Sequence, residues 1–291
     1  MEPISCSPPI TVGTIVRAPG KLVIAGEYAV VDGAPSIVMA INRGVEAIVT
    51  KDTELVTPTG DARFVEHARN TRFGLTFKDW NPVTELSDDK PGFGGSAAAC
   101  VVATAFSELP LESAVQLHHE IQGSGSGIDV VASLYGGVFL WDPQTKERTP
   151  LPVIHPVVVW TGNSAKTGPR VERYLQYPNR QWFIDNSKRF TLQFLQNPIA
   201  ATKSLYNNLV VMSKEAEIEY VTPEIREIVD LALDYDGAAK PSGAGGGDCV
   251  IAFFHTIDSA RSFCNAIDTH PTFRRIPVEV SSGVHVVPPQ N

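Results

Sequence analysis

Three glycine-rich segments lie far apart in the chain, and each carries polar or charged residues suited to phosphate chemistry. They span residues 18–28, 90–98 and 240–249. Closely spaced glycines let backbone N–H groups approach a ligand, and phosphate is the ligand that benefits most from such a cradle. Together with Asp129, which follows Ser-Gly-Ile at 126–128, these segments predict an enzyme that transfers a phosphoryl group.

The middle segment reads Gly92-Phe93-Gly94-Gly95-Ser96 and runs into an alanine-rich stretch that predicts a helix. We expect Ser96 to be the N-cap of this helix, and the free N–H groups of the first turn to face an anion. A plain glycine turn capped by serine is the alternative. The sequence lacks the patterns of a P-loop, a dinucleotide-binding loop and a hydrolase nucleophile elbow.

Composition narrows the classes of partner. The 291-residue chain has a formal net charge of −8 and is 43% hydrophobic, enough for a sizeable core in one large or two small domains. Proteins that bind nucleic acid are usually basic, so we expect no nucleic-acid partner. No signal pattern and no apolar run of roughly 18 residues occurs, which predicts a cytoplasmic protein with no membrane partner. The four cysteines lack metal-ligand spacing and favour reduced thiols over a zinc site.

The elements that must hold these segments follow from residue patterns. Branched and alternating runs predict strands at 14–17, 37–41, 45–50, 72–80, 138–141, 153–160, 250–254, 278–280 and 284–287. Helix formers predict helices at 96–105, 112–122, 129–134, 223–233 and 259–267, and a charged, helix-rich stretch at 166–197. The second half therefore mixes helices with antiparallel strands, and we expect a boundary near 150–165.

Four motifs occur in an order that resembles a known family. Pro-Gly-Lys at 19–21 precedes Gly-x-Gly-x-Ser-Ala-Ala at 92–98, Ser-Gly-Ile-Asp at 126–129 and Gly-Ala-Gly-Gly-Gly at 243–247. This order resembles the GHMP kinases, which include galactokinase, homoserine kinase, mevalonate kinase and phosphomevalonate kinase. The resemblance implies a two-domain α+β fold: an N-terminal ATP-binding α/β domain at 1–160, with a left-handed β-α-β unit, and a C-terminal ferredoxin-like domain at 161–291. The active site would lie in the cleft between them.

The resemblance also implies roles for single residues. Lys21 and Asp129 would be catalytic: Lys21 would offset phosphate charge, and Asp129 would position groups and hold Lys21. The residues implied at ATP are Lys90, Gly92, Gly94, Gly95, Ser96 and Ala97. Those implied at the substrate are Ser126, Lys166, Arg170, Ser242, Gly243, Ala244, Gly245 and Gly246. Mg²⁺ would be held by Ser96 and Glu120, while His118 and His119 are interpreted as polar helix residues.

Two positions are most similar to the phosphomevalonate kinases of this family. Tyr28 follows Gly-Glu where mevalonate kinases favour histidine, and Asp248 stands where they usually continue with glycine. The implied function is ATP-dependent phosphorylation of (R)-5-phosphomevalonate to 5-diphosphomevalonate, in the mevalonate route to isoprenoids. The partners would be ATP and a small phosphorylated substrate, and the assembly a monomer or a homodimer.

Other functions stay open at this point. Mevalonate kinase or another small-molecule kinase of the same family is the first alternative. Diphosphomevalonate decarboxylase is disfavoured by Lys21 and by the late glycines. Gly95 stands where the family usually has serine, so one hydroxyl near the nucleotide phosphates is missing. That departure keeps a non-catalytic metabolite sensor on a kinase fold among the alternatives.

Overall fold

The structure is a computed structural model that describes residues 10–58, 62–68, 73–83, 90–123, 125–165 and 167–288. Its strands are β1 (Ile15–Ala25), β2 (Ser36–Thr50), β3 (Leu55–Val56), β4 (Gly74–Trp80), β5 (Val138–Asp142), β6 (Glu147–Pro150), β7 (Val157–Trp160), β8 (Gly237–Pro241), β9 (Cys249–Phe254), β10 (Arg274–Arg275) and β11 (His285–Val286). Its α-helices are α1 (Gly95–Phe106), α2 (Ser113–Gln122), α3 (Ile128–Tyr135), α4 (Thr167–Leu175), α5 (Arg180–Phe194), α6 (Pro198–Glu215), α7 (Pro223–Asp234) and α8 (Ile257–Asp268).

The first sheet is built around the long antiparallel pair of β1 and β2. Its strands follow the order β11-β1-β2-β4-β3, while β5 pairs with β2 and β6 pairs with β5. Helices α1 and α3 pack on this sheet. The alanine-rich face of α1 meets branched side chains such as Val45 and Leu75 in one apolar cluster. Small residues on α1 allow this close approach and are also strong helix formers.

A bulge in the β1–β2 pair exchanges the faces that the two strands present. The register shifts between Pro19 and Gly20. Before the shift, Val16 and Ala18 pack in the cluster under α1. After it, Leu22 and Ile24 pack in a second cluster with residues of the other sheet. Gly44 pairs with Pro19 and Ile41 pairs with Gly20, so the register slips by two residues on β2 at this point, and Lys21 lies directly after the irregularity.

The second sheet is antiparallel throughout and has the order β10-β7-β9-β8. Helices α6, α7 and α8 contact its strands. The second cluster joins the two sheets, because Leu22 and Met39 from the first pack with Trp160 and Ile251 from the second. About 25 cal/mol is gained per Å² of apolar surface buried in such contacts.

The helices predicted at 96–105, 112–122, 129–134, 223–233 and 259–267 are confirmed to within two residues at each end. The strands predicted at 37–41 and 45–50 form the single strand β2. Strand β8 was not predicted, since Gly-Ala-Ala-Lys-Pro contains no β-branched residue, and helix α6 was also missed.

The domain boundary after residue 160 stays a prediction. Strand β7, which precedes it, pairs with β9, and β11, which follows it, pairs with β1. Within the described ranges, no helix combines the length and apolar character that a bilayer crossing requires.

Candidate active site

A cavity of about 340 Å³ opens where β1, the N-terminal ends of α1, α3 and α4, and the loop after β8 come together. The three glycine-rich segments converge on it. The predicted site residues that line it are Lys21, Gly92, Gly94, Ser96, Ser126, Asp129, Ser242, Gly243 and Ala244. The structure therefore brings the core of the predicted site into one enclosure.

Lys21 reaches this cavity from within β1, directly after the bulge. A β-carbon on Gly20 would lie 2.5 Å from the carbonyl oxygen of Phe93, which leaves no room for a side chain. Because of this close approach, the backbone N–H of Lys21 donates to the Phe93 carbonyl at 2.9 Å. The Lys21 ammonium donates to the carbonyl of Gly92 at 3.0 Å. Strand β1 and the middle glycine segment are thus bonded twice, and the ammonium is held at the cavity wall.

Asp129 faces Lys21 across Gly94. A β-carbon placed on Gly94 would lie 3.3 Å from Cβ of Asp129 and 3.6 Å from Cε of Lys21. Asp129 lies in the first turn of α3, where Oδ1 accepts the N–H of Val130 at 3.1 Å. None of the ion pairs between described side chains joins Lys21 to Asp129. The Gly92 carbonyl, and not the aspartate, holds the Lys21 ammonium.

The start of α1 corrects the predicted N-cap. The helix begins at Gly95, and its N-cap is Gly94, with φ 79° and ψ 39°. That left-handed conformation is costly for serine and open to glycine, which explains why the cap falls two residues before Ser96. The first turn has neither a side-chain cap nor an acidic residue. Its first-turn N–H groups and the positive end of the helix dipole are therefore left without a partner from the side chain of the N-cap, next to Ser96 in the cavity lining.

Ser96 and His118 form a hydrogen-bonded pair in the cavity wall. The Ser96 hydroxyl lies 3.2 Å from Nε2 of His118, whose ring stacks on Phe64 with centroids 5.0 Å apart. Burial lowers the pKa of His118, and the nearby Asp129 carboxylate partly opposes that effect. His118 lies on a helix, as predicted, but it is 3% exposed and buried in the cavity wall. His119 does lie on the exposed side of α2, although it touches the cavity mouth.

The loop after β8 closes the cavity from the second sheet. The Ser242 hydroxyl accepts the backbone N–H of Val23 at 2.9 Å, and the Ala244 carbonyl accepts the hydroxyl of Tyr28 at 2.7 Å. Both bonds tie this loop to β1 and to the turn that follows it. The loop therefore contributes to the cavity mainly through its backbone.

A buried ion pair, Glu27 with Lys240, underlies the same cavity and was not predicted. Glu27 is 4% exposed and Lys240 is fully buried. The Lys240 ammonium donates to Oε1 of Glu27 and to the Pro241 carbonyl. The second carboxylate oxygen, Oε2, is buried without a hydrogen-bond partner, and Glu27 lines the cavity. Burial lowers the pKa of Lys240, and Glu27 opposes that effect.

Comparison with known proteins adds to this geometry. Residues 198–271 match the family described as GHMP kinases, C terminal. The chain is 28% identical to a phosphomevalonate kinase of a Streptomyces species, over 82% of this chain and 89% of the relative. It is also 28% identical to a mevalonate kinase of Archaeoglobus fulgidus, over 82% and 92%. Residues 198–271 therefore carry the C-terminal domain of the GHMP kinases, and the chain is similar over most of its length to two kinases of the mevalonate pathway.

The fold of the chain is the two-domain α+β arrangement that the motifs implied. It superposes on the phosphomevalonate kinase of Streptococcus pneumoniae, solved in complex with phosphomevalonate and AMPPNP, with a TM-score of 0.74 and 19% identity. The superposition covers 92% of this chain and 99% of that one. The likeness is therefore one of whole architecture.

Several predicted site residues lie outside the cavity lining. Glu120 is exposed, and its Oε1 accepts the amide of Gln116 at 2.8 Å. It follows His118 by two positions, or about 200° around α2, so it points away when His118 points in. Lys90 is also exposed, and its carbonyl accepts the Ser164 hydroxyl at 2.8 Å. Lys166 falls outside the described residues.

The remaining predicted residues also lie outside the lining, and Gly95 among them is exposed. Gly95 and Ala97 belong to the first turn of α1. Gly245 lies against Tyr220 and Gly246 against Arg170, so closely that neither has room for a β-carbon. Nε of Arg170 donates to the Glu219 carbonyl at 3.4 Å. Glu27 and Lys240 could have been found from the sequence, because each is a charged residue in a glycine-rich segment with apolar residues beside it.

Proposed function

We propose that this protein transfers the γ-phosphoryl group of ATP to the phosphate of (R)-5-phosphomevalonate, giving 5-diphosphomevalonate and ADP. The observation that carries the proposal is the placement of Lys21 and Asp129 on either side of Gly94, at the free N-terminus of α1. Phosphoryl transfer needs positioning and charge neutralisation more than covalent chemistry. This arrangement offers one cation, one carboxylate and a row of backbone N–H groups.

The nucleotide phosphates would lie at the glycine segment and the first turn of α1. Gly92 and Gly94 have φ values of 75° and 79°, which turn the backbone so that N–H groups face the cavity. The N–H groups of Gly95, Ser96 and Ala97 would bind phosphate oxygens. This assignment explains why the first turn carries no acidic residue.

A magnesium ion fits this cavity through few protein ligands. Mg²⁺ in such sites is usually held by one or two side chains together with the substrate phosphates. Within the described residues, no group of three or more metal-binding His, Cys, Asp or Glu side chains occurs, which agrees with that mode. Ser96 would supply a hydroxyl ligand, and the ion would offset phosphate charge. Glu120, exposed on α2, would have to move to take part.

The acceptor would occupy the side of the cavity formed by Ser126, Ser242, Gly243 and Ala244. Its phosphate would approach Lys21, with the guanidinium of Arg170 behind Gly246 as a second source of positive charge. A phosphate monoester has a second pKa of about 6 and is already anionic near neutral pH. Asp129 would therefore orient the acceptor more than it deprotonates it.

Mevalonate is the second candidate acceptor. The Archaeoglobus mevalonate kinase and the Streptomyces phosphomevalonate kinase are equally identical to this chain. With an alcohol acceptor, Asp129 would have to accept the hydroxyl proton, a contribution of about 10²- to 10⁴-fold to the rate. The two acceptors therefore place different demands on the same carboxylate.

A coupled assay of ADP release tests the proposal, with ATP, Mg²⁺ and, in turn, phosphomevalonate, mevalonate, homoserine and galactose. We expect turnover with phosphomevalonate and a new diphosphate-ester signal by ³¹P NMR. Turnover with mevalonate alone would replace the proposed acceptor by the second candidate. No ADP release with any acceptor would favour the metabolite sensor.

A further inference from the structure

Asp248 ends the last glycine run in a conformation that aspartate seldom adopts. Its φ is 55°, after Gly245, Gly246 and Gly247, which also have positive φ values. Among residues other than glycine, aspartate and asparagine tolerate this region best. A side chain kept at such a position implies contacts that hold it there, and three sets of contacts do so.

The first set ties Asp248 to the segment that leads into α4. Its Oδ1 accepts the backbone N–H of Ala165 at 2.9 Å. Its own N–H donates to the Asn163 carbonyl at 2.7 Å, and its carbonyl accepts the N–H of Thr161 at 3.0 Å. Asp248 therefore makes three hydrogen bonds to residues 161–165 at the entry to α4, and the Ser164 hydroxyl adds a bond from this segment to the Lys90 carbonyl.

The second set places the same carboxylate against the middle glycine segment. A β-carbon on Gly92 would lie 2.4 Å from Oδ2 of Asp248. The carbonyl of Gly92 is the acceptor that holds the Lys21 ammonium at 3.0 Å. Next in the chain, Sγ of Cys249 lies 3.3 Å from the Pro91 carbonyl. Asp248 thus supports the backbone to which Lys21 is bonded.

The third set is electrostatic. Burial raises the pKa of Asp248, whereas the Ala165 N–H and the charges of Lys21 and Arg170 lower it. Two cations of the proposed phosphate site therefore face this carboxylate. Asp248 also lines the cavity. It therefore lies between the middle glycine segment and the segment that leads into α4.

We propose that Asp248 is a positioning residue that holds the entry to α4 at a set distance from the middle glycine segment, so that the acceptor is presented to Lys21. This inference rests on the proposed function for its kinetic consequence, but its geometric content does not. Asp248 acts through the Ala165 N–H and through Gly92, and makes no contact with the transferred group.

The test compares wild type with Asp248→Asn, Asp248→Gly and Asp248→Ser. Asparagine keeps an oxygen that can accept the Ala165 N–H, glycine relieves the positive φ but removes the bond, and serine is too short to reach. The matched control is Asp236→Gly, because Asp236 also has a positive φ of 57° but is exposed in the turn before β8. Steady-state kinetics and amide hydrogen exchange are measured on the full chain.

For Asp248→Gly and Asp248→Ser we expect kcat/KM for the acceptor to fall about 10- to 100-fold, with KM for ATP changed less than about threefold. Asparagine should restore most of the acceptor KM. Exchange at Ala165 should be about 10-fold faster in the glycine and serine variants, and unchanged in Asp248→Asn and Asp236→Gly. If Ala165 exchange is unaffected in every variant, or if asparagine is as defective as glycine, the inference is overturned. A wild-type protein that turns over no acceptor overturns the proposed function, while the exchange data still decide the inference.

Discussion

Lys21 and Asp129 approach the same α-carbon, that of Gly94, from two different elements. Lys21 comes from a bulged strand and Asp129 from the first turn of α3. A β-carbon on Gly94 would lie 3.3 Å from Cβ of Asp129 and 3.6 Å from Cε of Lys21. The proposed cation and carboxylate therefore both pack against one glycine.

Replacing Gly94 with alanine should disrupt this arrangement. The new methyl group would lie 3.3 Å from Cβ of Asp129, at a φ of 79° that alanine disfavours. We expect a stability loss of about 1–2 kcal/mol and a fall in kcat of about 10-fold or more, measured by chemical unfolding and by ADP release. The control is Gly13→Ala, at a φ of 90° with nothing within 4 Å. Equal loss of kcat in both variants would show that strain alone, and not the approach to Asp129, is responsible.

Gly95→Ala should have the opposite effect on stability. No atom lies within 4 Å of a β-carbon at this position, and glycine at the start of α1 lowers helix stability. We expect the free energy of unfolding to rise by up to about 1 kcal/mol, measured by urea denaturation. A loss of stability would mean that Gly95 meets a neighbour or a conformation that this structure does not contain.

Removing one partner of the buried pair formed by Glu27 and Lys240 should lower the stability of the fold strongly. Lys240→Met would leave a buried carboxylate without its cation, and we expect a loss of about 3–5 kcal/mol. The double variant Glu27→Leu, Lys240→Met removes both charges and should recover much of that loss. Urea unfolding measures all three. Wild-type stability in Lys240→Met would mean that Glu27 finds another partner or becomes protonated without cost.

His118 should make stability depend on pH below about 6.5. Burial lowers its pKa in the folded state, so the unfolded chain binds the proton more readily. Stability is then fully present above the unfolded pKa and is lost as the pH falls through the folded pKa, by at most about 1.4 kcal/mol per pH unit. His118→Asn should reduce this slope relative to wild type. The free energy of unfolding is measured from pH 5 to 8. Equal slopes against pH in wild type and His118→Asn would contradict the prediction.

Local sequence patterns were sufficient to predict the main elements that hold the glycine-rich segments. Alanine content predicted α1, and the family motif order led to Lys21 and Asp129, which the structure brings to one glycine. The N-cap was wrong because backbone conformation at Gly94, and not side-chain capping ability at Ser96, determines where the helix begins. The face of α2 that points to the cavity was also not predicted. Glu120 was therefore proposed as a site residue, whereas His118 is the one that lines the cavity wall.

The contacts that were missed join residues far apart in the chain. Glu27 and Lys240 are 213 positions apart, and Asp248 bonds to Ala165 across 83. Such pairs depend on how the two sheets pack, which no local pattern contains. The short strand β8 was missed for a related reason: its burial, and not its β propensity, makes it a strand.

The most direct test of the proposed centre is the turnover of Asp129→Asn with ATP and phosphomevalonate. The amide preserves the shape of the side chain and removes its charge. We expect kcat to fall about 100-fold or more, while the thermal midpoint and the affinity for ATP stay close to those of wild type. Near-normal kcat in Asp129→Asn would contradict the placement of the phosphoryl-transfer centre between Lys21 and Asp129.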